Sequence, residues 1–397
     1  MGRLFVLAKF VLIGLVLDAV VYGQPCASVP LPQSGTLLVS VGNSIMTIRL
    51  GPGHASLKPL FTSKGGTLSG LLPVPTMHRV FATDVVAQTG GGSLFEVYRD
   101  GSHYRKLHTF RPANVDLQTL AAKRSGILPV GNLAVNKQGT LFGCCYLGGS
   151  GGTGLVYRIK SNGDRFKVIH TFLKLNHLGI NRGGAEPKSG VLLGADGWLY
   201  GICSAGGTHG VGTIFKLSPT TQQFRTVYNF PNLNHRYRNS SGCNPHSLTL
   251  MGDGTLVGTT FHGGKFGGGT LYQISGNGTD FRVLHSFGAS KSDGINPGSI
   301  VLTPAGRVFG VTEWGGKGYA GTLYRYGPDK DSYAVLARFT FKSRRSADVG
   351  ANPVSISRAW SKGVLLITSI AGEFNHGALS FYSTRTRSLV PLLAFKN

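Results

Sequence analysis

The 397 residues include 60 glycines, 41% apolar and only 14% charged side chains. That balance excludes a helical protein, because glycine is poor in helix interiors, and the Val, Ile, Leu and aromatic content excludes a disordered one. Forty Lys and Arg against 16 Asp and Glu leave a net charge of +24, a field that attracts polyanions, is screened by salt and costs self-repulsion.

The chain opens with Arg3 and Lys9, an apolar run over residues 10–21, and Tyr22-Gly23-Gln24. A basic start, a short apolar core and small residues at a cleavage site predict a secretory signal peptide over residues 1–23. Asp18 interrupts the run, and a transmembrane span needs about 20 apolar residues. No later segment is long and apolar enough to span as a helix. Residues 24–397 are therefore expected to form a single extracellular domain. In that setting the candidate polyanions are acidic polysaccharides and negatively charged mineral such as silica; nucleic acid is not expected.

A repeat then organises the chain. A degraded N-terminal unit holds Thr36–Ser40 and Ile45–Ile48, and unit 1 holds Val80–Thr83 and Ser93–Val97. Unit 2 runs from Leu141-Phe142-Gly143 to Gly154-Leu155-Val156-Tyr157, and unit 3 from Leu199-Tyr200-Gly201 to Gly212-Thr213-Ile214-Phe215. Units 4 and 5 repeat the grammar from Leu256-Val257-Gly258 and from Val308-Phe309-Gly310. The phase glycines stand at 154, 212, 269, 321 and 377, steps of 58, 57, 52 and 56 residues. In unit 4 the β-branched and aromatic runs predict four strands, about 247–250, 254–260, 269–274 and 281–287, joined by glycine turns. Four strands repeated six or seven times predict an all-β protein, a β-propeller of about seven four-stranded blades, with six as the alternative. A solenoid would need capping segments, which are not evident.

The pattern Asp-Gly-x-Leu-Tyr-Gly-x-x-x-x-Gly-Gly followed by Gly-Thr-x-Phe-Lys-Leu resembles the tandem repeat of bacterial secreted proteins called GloVer-repeat proteins. It is matched best by Asp196-Gly197-Trp198-Leu199-Tyr200-Gly201 and Gly212-Thr213-Ile214-Phe215-Lys216-Leu217. A companion motif is Asp293-Gly294-Ile295-Asn296-Pro297. The resemblance covers residues 125–395 well and 35–110 poorly. It implies an extracellular propeller-like fold and no defined activity, so no catalytic residues are carried over. The chain departs from the pattern in its positive charge and its cysteines.

Repeats also sort scaffold from chemistry. His108, His170 and His285 each stand two residues before a closing phenylalanine, where unit 3 has Tyr228; a recurring position serves the unit. Asp196, Asp253 and Asp293, each before glycine, are expected in turns. The sequence holds no nucleophile elbow, zinc-protease motif, Cys-x-x-Cys or phosphate loop, so no cofactor or metal is expected and binding is preferred to catalysis. The unit-specific residues lie between the second strand and its Gly-Gly: Tyr146, Ser204, Phe261 with His262, and Glu313 with Trp314, joined by Asp84 in unit 1 and Glu373 and His376 in unit 6. In a closed propeller these would ring one mouth of the central channel, where aromatics stack sugar rings. Basic clusters add Arg236-Tyr237-Arg238 and Lys342, Arg344 and Arg345, since guanidinium bonds planar anions bidentately. The leading expectation is a secreted, non-catalytic polyanion binder with a matrix or biomineral role. A polysaccharide lyase using Asp84, His262, Glu313 or Glu373, and a protein-recognition propeller, are the alternatives.

Cys26, Cys144, Cys145, Cys203 and Cys243 are an odd set for an oxidising compartment. A Cys145–Cys203 bridge between neighbouring units and a bridge from Cys26 to Cys243 or Cys144 are candidates. The fifth thiol is then free to link a partner; buried free thiols are the alternative. Asn239-Ser240-Ser241 and Asn277-Gly278-Thr279 are glycosylation sequons.

Overall fold

The computed structural model describes residues 36–41, 43–51, 54–64, 66–85, 91–110, 126–303, 306–327, 332–340, 351–359, 363–370, 378–383 and 387–394. Residues 1–23, expected as a signal peptide, and Cys26, Lys342, Arg344, Arg345, Glu373 and His376 lie outside them. Among the described residues there is no α-helix, and 28 strands form seven antiparallel sheets taken in chain order.

The N-terminal unit is three-stranded: β1 (Thr36–Val41), β2 (Ser44–Gly51) and β3 (His54–Thr62). Unit 1 is β4 (Thr67–Val74), β5 (Arg79–Val85), β6 (Gly92–Tyr98) and β7 (Arg105–Phe110). Unit 2 is β8 (Ile127–Val135), β9 (Thr140–Leu147), β10 (Leu155–Lys160) and β11 (Lys167–Thr171). In unit 3 the first strand is split into β12 (Ala185–Pro187) and β13 (Leu192–Leu193), followed by β14 (Leu199–Ala205), β15 (Thr213–Leu217) and β16 (Phe224–Asn229). Unit 4 is β17 (Cys243–Leu250), β18 (Thr255–His262), β19 (Thr270–Ser275) and β20 (Arg282–Ser286). Unit 5 is β21 (Gly294–Leu302), β22 (Val308–Gly315), β23 (Thr322–Gly327) and β24 (Ser332–Arg338). Unit 6 is β25 (Ala351–Ala359), β26 (Gly363–Ile370), β27 (Ala378–Ser383) and β28 (Ser388–Ala394).

The four-strand expectation holds for six sheets and fails for the first. A shared irregularity shows which strand is lacking there. The last two strands of every four-stranded sheet slip register at one place, for example between Leu271 and Tyr272 and between Leu323 and Tyr324. The N-terminal sheet makes the same slip between Ile45 and Met46, where β2 pairs β3. Its strands therefore correspond to the second, third and fourth of the others. A bulge at a fixed place bends each outer strand alike. Successive sheets pack in chain order, with β1 against β4, and β28 lies against β3.

The glycine repeated in the second strands of units 2–5 answers to close packing. Gly143, Gly258 and Gly310 lie under the rings of Tyr157, Tyr272 and Tyr324, so a Cβ there would collide with them. Phe215 covers Gly201 in the same way.

Aromatic rings then join one sheet to the next. His108 stacks on Phe166 at 3.7 Å, His170 on Phe224 at 4.0 Å, Tyr228 on Phe281 at 4.2 Å and His285 on Tyr333 at 3.5 Å. Each pair spans two neighbouring units, which is why the position recurs.

Of the two expectations for the cysteines, the described ones follow the buried free thiol rather than the Cys145–Cys203 bridge. Cys144, Cys145, Cys203 and Cys243 are all buried and no disulfide joins them. Cys144 and Cys203 instead pack in one apolar cluster with Phe142, Phe172 and Phe215. Burial raises the Cys144 and Cys203 thiols and pushes Cys243 up to about 12, so these are inert core thiols, closed to an intermolecular partner.

Candidate ligand-binding face

Antiparallel order puts the start of the first strand, the end of the second, the start of the third and the end of the fourth at one end of each sheet. Among the described residues, the unit-specific side chains and the longest connections sit at this loop end. The tight turns carrying Asp100, Asp164, Asp196, Asp253 and Asp280 sit at the other, and all five are exposed.

A repeated staple holds the loop ends together. The residue before the first-strand proline has positive φ in five units: Leu128 (57°), Glu186 (60°), Asn244 (52°), Asn296 (57°) and Asn352 (52°). Asparagine tolerates this region better than most residues. Backbone N–H groups of Glu186, Asn244, Asn296 and Asn352 donate to Thr153, Val211, Gly268 and Ala320 of the preceding unit, at 2.7–2.8 Å. The side-chain amides of Asn244, Asn296 and Asn352 donate to the carbonyls of Ser204 (3.0 Å), Phe261 (3.0 Å) and Glu313 (2.8 Å). In unit 3 the polarity is reversed, and Tyr146 donates its hydroxyl to Glu186 at 2.5 Å. The unit-specific positions are thus clamped by the next unit, a link the sequence did not show.

The sequence-predicted residues are only partly brought together. Tyr146 and Phe261 are half-buried. Burial, then the adjacent Glu186 carboxylate, raises the Tyr146 phenol. The Phe261 ring lies 5.5 Å from His246 and 4.8 Å from the exposed His262. Nδ1 of His262 accepts from the Asn296 amide at 3.1 Å, and burial with the nearby Lys188 charge lowers its pKa. That combination favours a neutral imidazole whose proton is on Nε2. Glu313 is half-buried and Trp314 is 40% exposed, both one unit further on.

Two carboxylates prove to be scaffold. Asp84 is buried and accepts from Ser63 Oγ (2.6 Å), Ser93 N (2.7 Å) and Ser93 Oγ (2.8 Å), which removes it as an acid–base candidate. Asp293 is buried rather than in an exposed turn. It accepts from His285 (3.2 Å), Tyr333 (2.7 Å) and the Gly288 N–H (2.9 Å), beside a recess of about 230 Å³. Burial opposes its ionisation, but the His285 and Tyr333 hydrogen bonds outweigh it and hold the carboxyl below its ordinary value.

Arg236, Tyr237 and Arg238 form the tip of a finger closed by Asn234, whose Oδ1 accepts from the N–H groups of Arg236 (2.9 Å) and Arg238 (3.1 Å). Asn176 closes an equivalent finger before unit 3 through Leu178 and Ile180. The Tyr237 carbonyl and the Arg238 stem border Gly267 of the unit 4 loop, where Lys265 lies 5.4 Å over Phe266. The sequence reading missed Phe266 (36% exposed), Leu178 (66%) and Tyr319 (58%). Together with Tyr237 and Trp314 they put exposed apolar side chains on this end in units 3, 4 and 5. Lys174, Arg182, Lys188, Arg236, Arg238, Lys265, Lys291, Lys317 and Arg338 are exposed there too.

The sequons separate. Both amide hydrogens of Asn239 are donated, to Pro231 and Gly242 carbonyls at 2.9 Å, and Asn181 repeats the arrangement one unit earlier. Asn277 is exposed in a turn.

Sheets of this order with these clamped loops define a propeller-like tandem-repeat protein. The chain belongs to the family described as the Gloeobacter/Verrucomicrobia repeat, whose profile matches residues 82–243 and again 232–397. No curated protein matches it. Among solved structures, an oligogalacturonate lyase in complex with manganese is similar at 13% identity and TM-score 0.57, over 96% of this chain and 91% of that one. A putative 6-phosphogluconolactonase from Bacteroides fragilis is similar at 16% identity and TM-score 0.55, over 91% and 95%. At these identities the likeness is one of fold.

Proposed function

We propose that this chain is a secreted polyanion-binding protein: a single propeller from residue 24 onward, with seven blades of which the first is three-stranded, that holds its ligand on the loop end. The contact of β28 with β3 and the bulge shared by the first sheet support the blade number. The ligand class is an acidic polysaccharide or a negatively charged mineral, which fits a matrix or biomineral scaffold. One observation carries the binding face. The exposed aspartates of the described turns are confined to the opposite end, while the loop end exposes arginine and lysine beside aromatics. A surface of one sign focuses its field and raises the local concentration of counter-charged ligand.

Retention of the mature protein on heparin and on silica across ionic strength tests this reading. Retention is expected at low salt and should fall as screening shortens the reach of the charges. Exchanging Arg236, Arg238 and Lys265 for glutamate should weaken it by about tenfold or more, as fully engaged cations do. The same charge change at Lys137, Lys160 and Arg165, on the turn end, should do much less. No retention at low salt, or equal losses from both triple variants, would sink the proposal.

A further inference from the structure

We infer that the polyanion of the loop face is an acidic polysaccharide, with Tyr237 and Tyr319 as its sugar-stacking platforms; this rests on the polyanion reading above. The repeats supply the control. In units 2–4 the loop after the second strand runs Gly-Gly-x-x-Gly-x-Gly, unit 5 has Tyr319 at the fifth place, and that fifth residue has positive φ in all four: Gly152 (75°), Gly210 (75°), Gly267 (87°) and Tyr319 (55°). The finger before unit 3 has Gly179 at 76°, and the finger before unit 4 has Tyr237 at 57° in its place. Both positions therefore suit glycine, and both are occupied by a bulky side chain that this backbone disfavours.

Packing does not repay the strain, because Tyr237 is 76% exposed and Tyr319 is 58% exposed. A strained, solvent-facing aromatic on a loop tip points to an external partner. Mineral and polyphosphate present charge without an apolar face, so they gain from the cations and nothing from a phenol ring. A pyranose presents C–H groups on one face and hydroxyls at its rim, which matches the amphipathic tyrosine. Arg236 and Arg238 flank Tyr237, and Lys317 lies two residues before Tyr319; guanidinium and ammonium groups beside a stacked ring suit carboxylate or sulfate substituents.

The test uses the mature chain and the double variant Tyr237→Gly/Tyr319→Gly, which installs the residue the other repeats already carry. Affinities are measured for polygalacturonate, alginate and heparin, for methyl-esterified polygalacturonate as the uncharged control, and for polyphosphate and silica. The double variant should unfold at the same or a higher temperature. It should lose about tenfold or more in affinity for the acidic glycans, as hot-spot tyrosines do, and keep its hold on polyphosphate and silica. The esterified polymer should bind more weakly than polygalacturonate. Unchanged glycan affinity in the variant, or an equal loss on silica, would overturn the inference. Wild-type binding to silica and polyphosphate but to no acidic glycan would also overturn it and leave the polyanion reading standing. Binding to no anion at all removes both.

Discussion

His108 and His170 show how position in a repeat sets the chemistry of a side chain. Each imidazole is sandwiched against a phenylalanine of the next unit and is half-buried, so burial pushes both pKa values down to about 4. In the unfolded chain a histidine protonates near pH 6.5. Below that pH the unfolded state takes up protons that the folded state refuses, and stability falls. The contribution is complete above about pH 6.5 and is lost as the pH drops towards 4. With allowance for solvent screening the loss is about 2 kcal/mol per histidine. Chemical denaturation of the wild type should show this decline between pH 6.5 and 4, within the windows just given. A His108→Tyr/His170→Tyr variant, which copies the Tyr228 solution of unit 3, should make it shallower and leave the share of His246 and His262, whose pKa values burial also lowers. An unchanged pH profile in that variant would assign the decline to other groups.

At the scale of the element, the staple before each first-strand proline does more than end a connection. Asn296 donates its backbone N–H to Gly268, and its amide to the Phe261 carbonyl and to His262, so one residue fixes the end of the preceding unit's second strand. Asn296→Gly keeps the positive φ and loses the amide, at a cost of about 1 kcal/mol. Asn296→Ala adds a strained φ and should cost about 2–3 kcal/mol in all. The order of the two midpoints in a denaturant titration checks the assignment; Ala equal to Gly would refute it. This staple was the part of the fold least visible beforehand. Four-strand grammar and turn chemistry follow from local composition, and they placed units 1–6. The first strand of unit 4 is expected from about residue 247 but starts at Cys243, because Asn244-Pro245 reads locally as a break, whereas partners distant in sequence make it strand: Cys243 pairs with His262 and Pro245 with Thr260 across a register shift. For the same reason Asp293 looked like a turn residue. On the loop face, charge drew attention to Tyr237, whereas Tyr319 stands in a glycine-rich loop with a single cation and is found only by aligning it with Gly152, Gly210 and Gly267.

For the whole molecule, the question is whether the seven sheets form a ring or an open array. The N-terminal sheet shares a core with unit 1: Ile45, Leu68, Leu71 and Phe95 are buried together, with Leu38, Leu60 and Phe61 packed on them. Its other neighbour is unit 6, through β3 and β28. In an open array each unit depends only on the units beside it in sequence, so removing the first sheet would leave the last one undisturbed. In a ring the two ends are neighbours, and the loss is felt at both. A chain lacking residues 24–65 should therefore show faster amide hydrogen exchange in β4 and β5 and also, some 300 residues away in sequence, in Ala378–Ser383 and Ser388–Ala394. The central strands of units 3 and 4 should stay protected, since local opening follows lost contacts rather than sequence position. Unchanged exchange in β27 and β28 would show an open array. It would also take away the common loop face, because an open array need not gather its loop ends around one mouth.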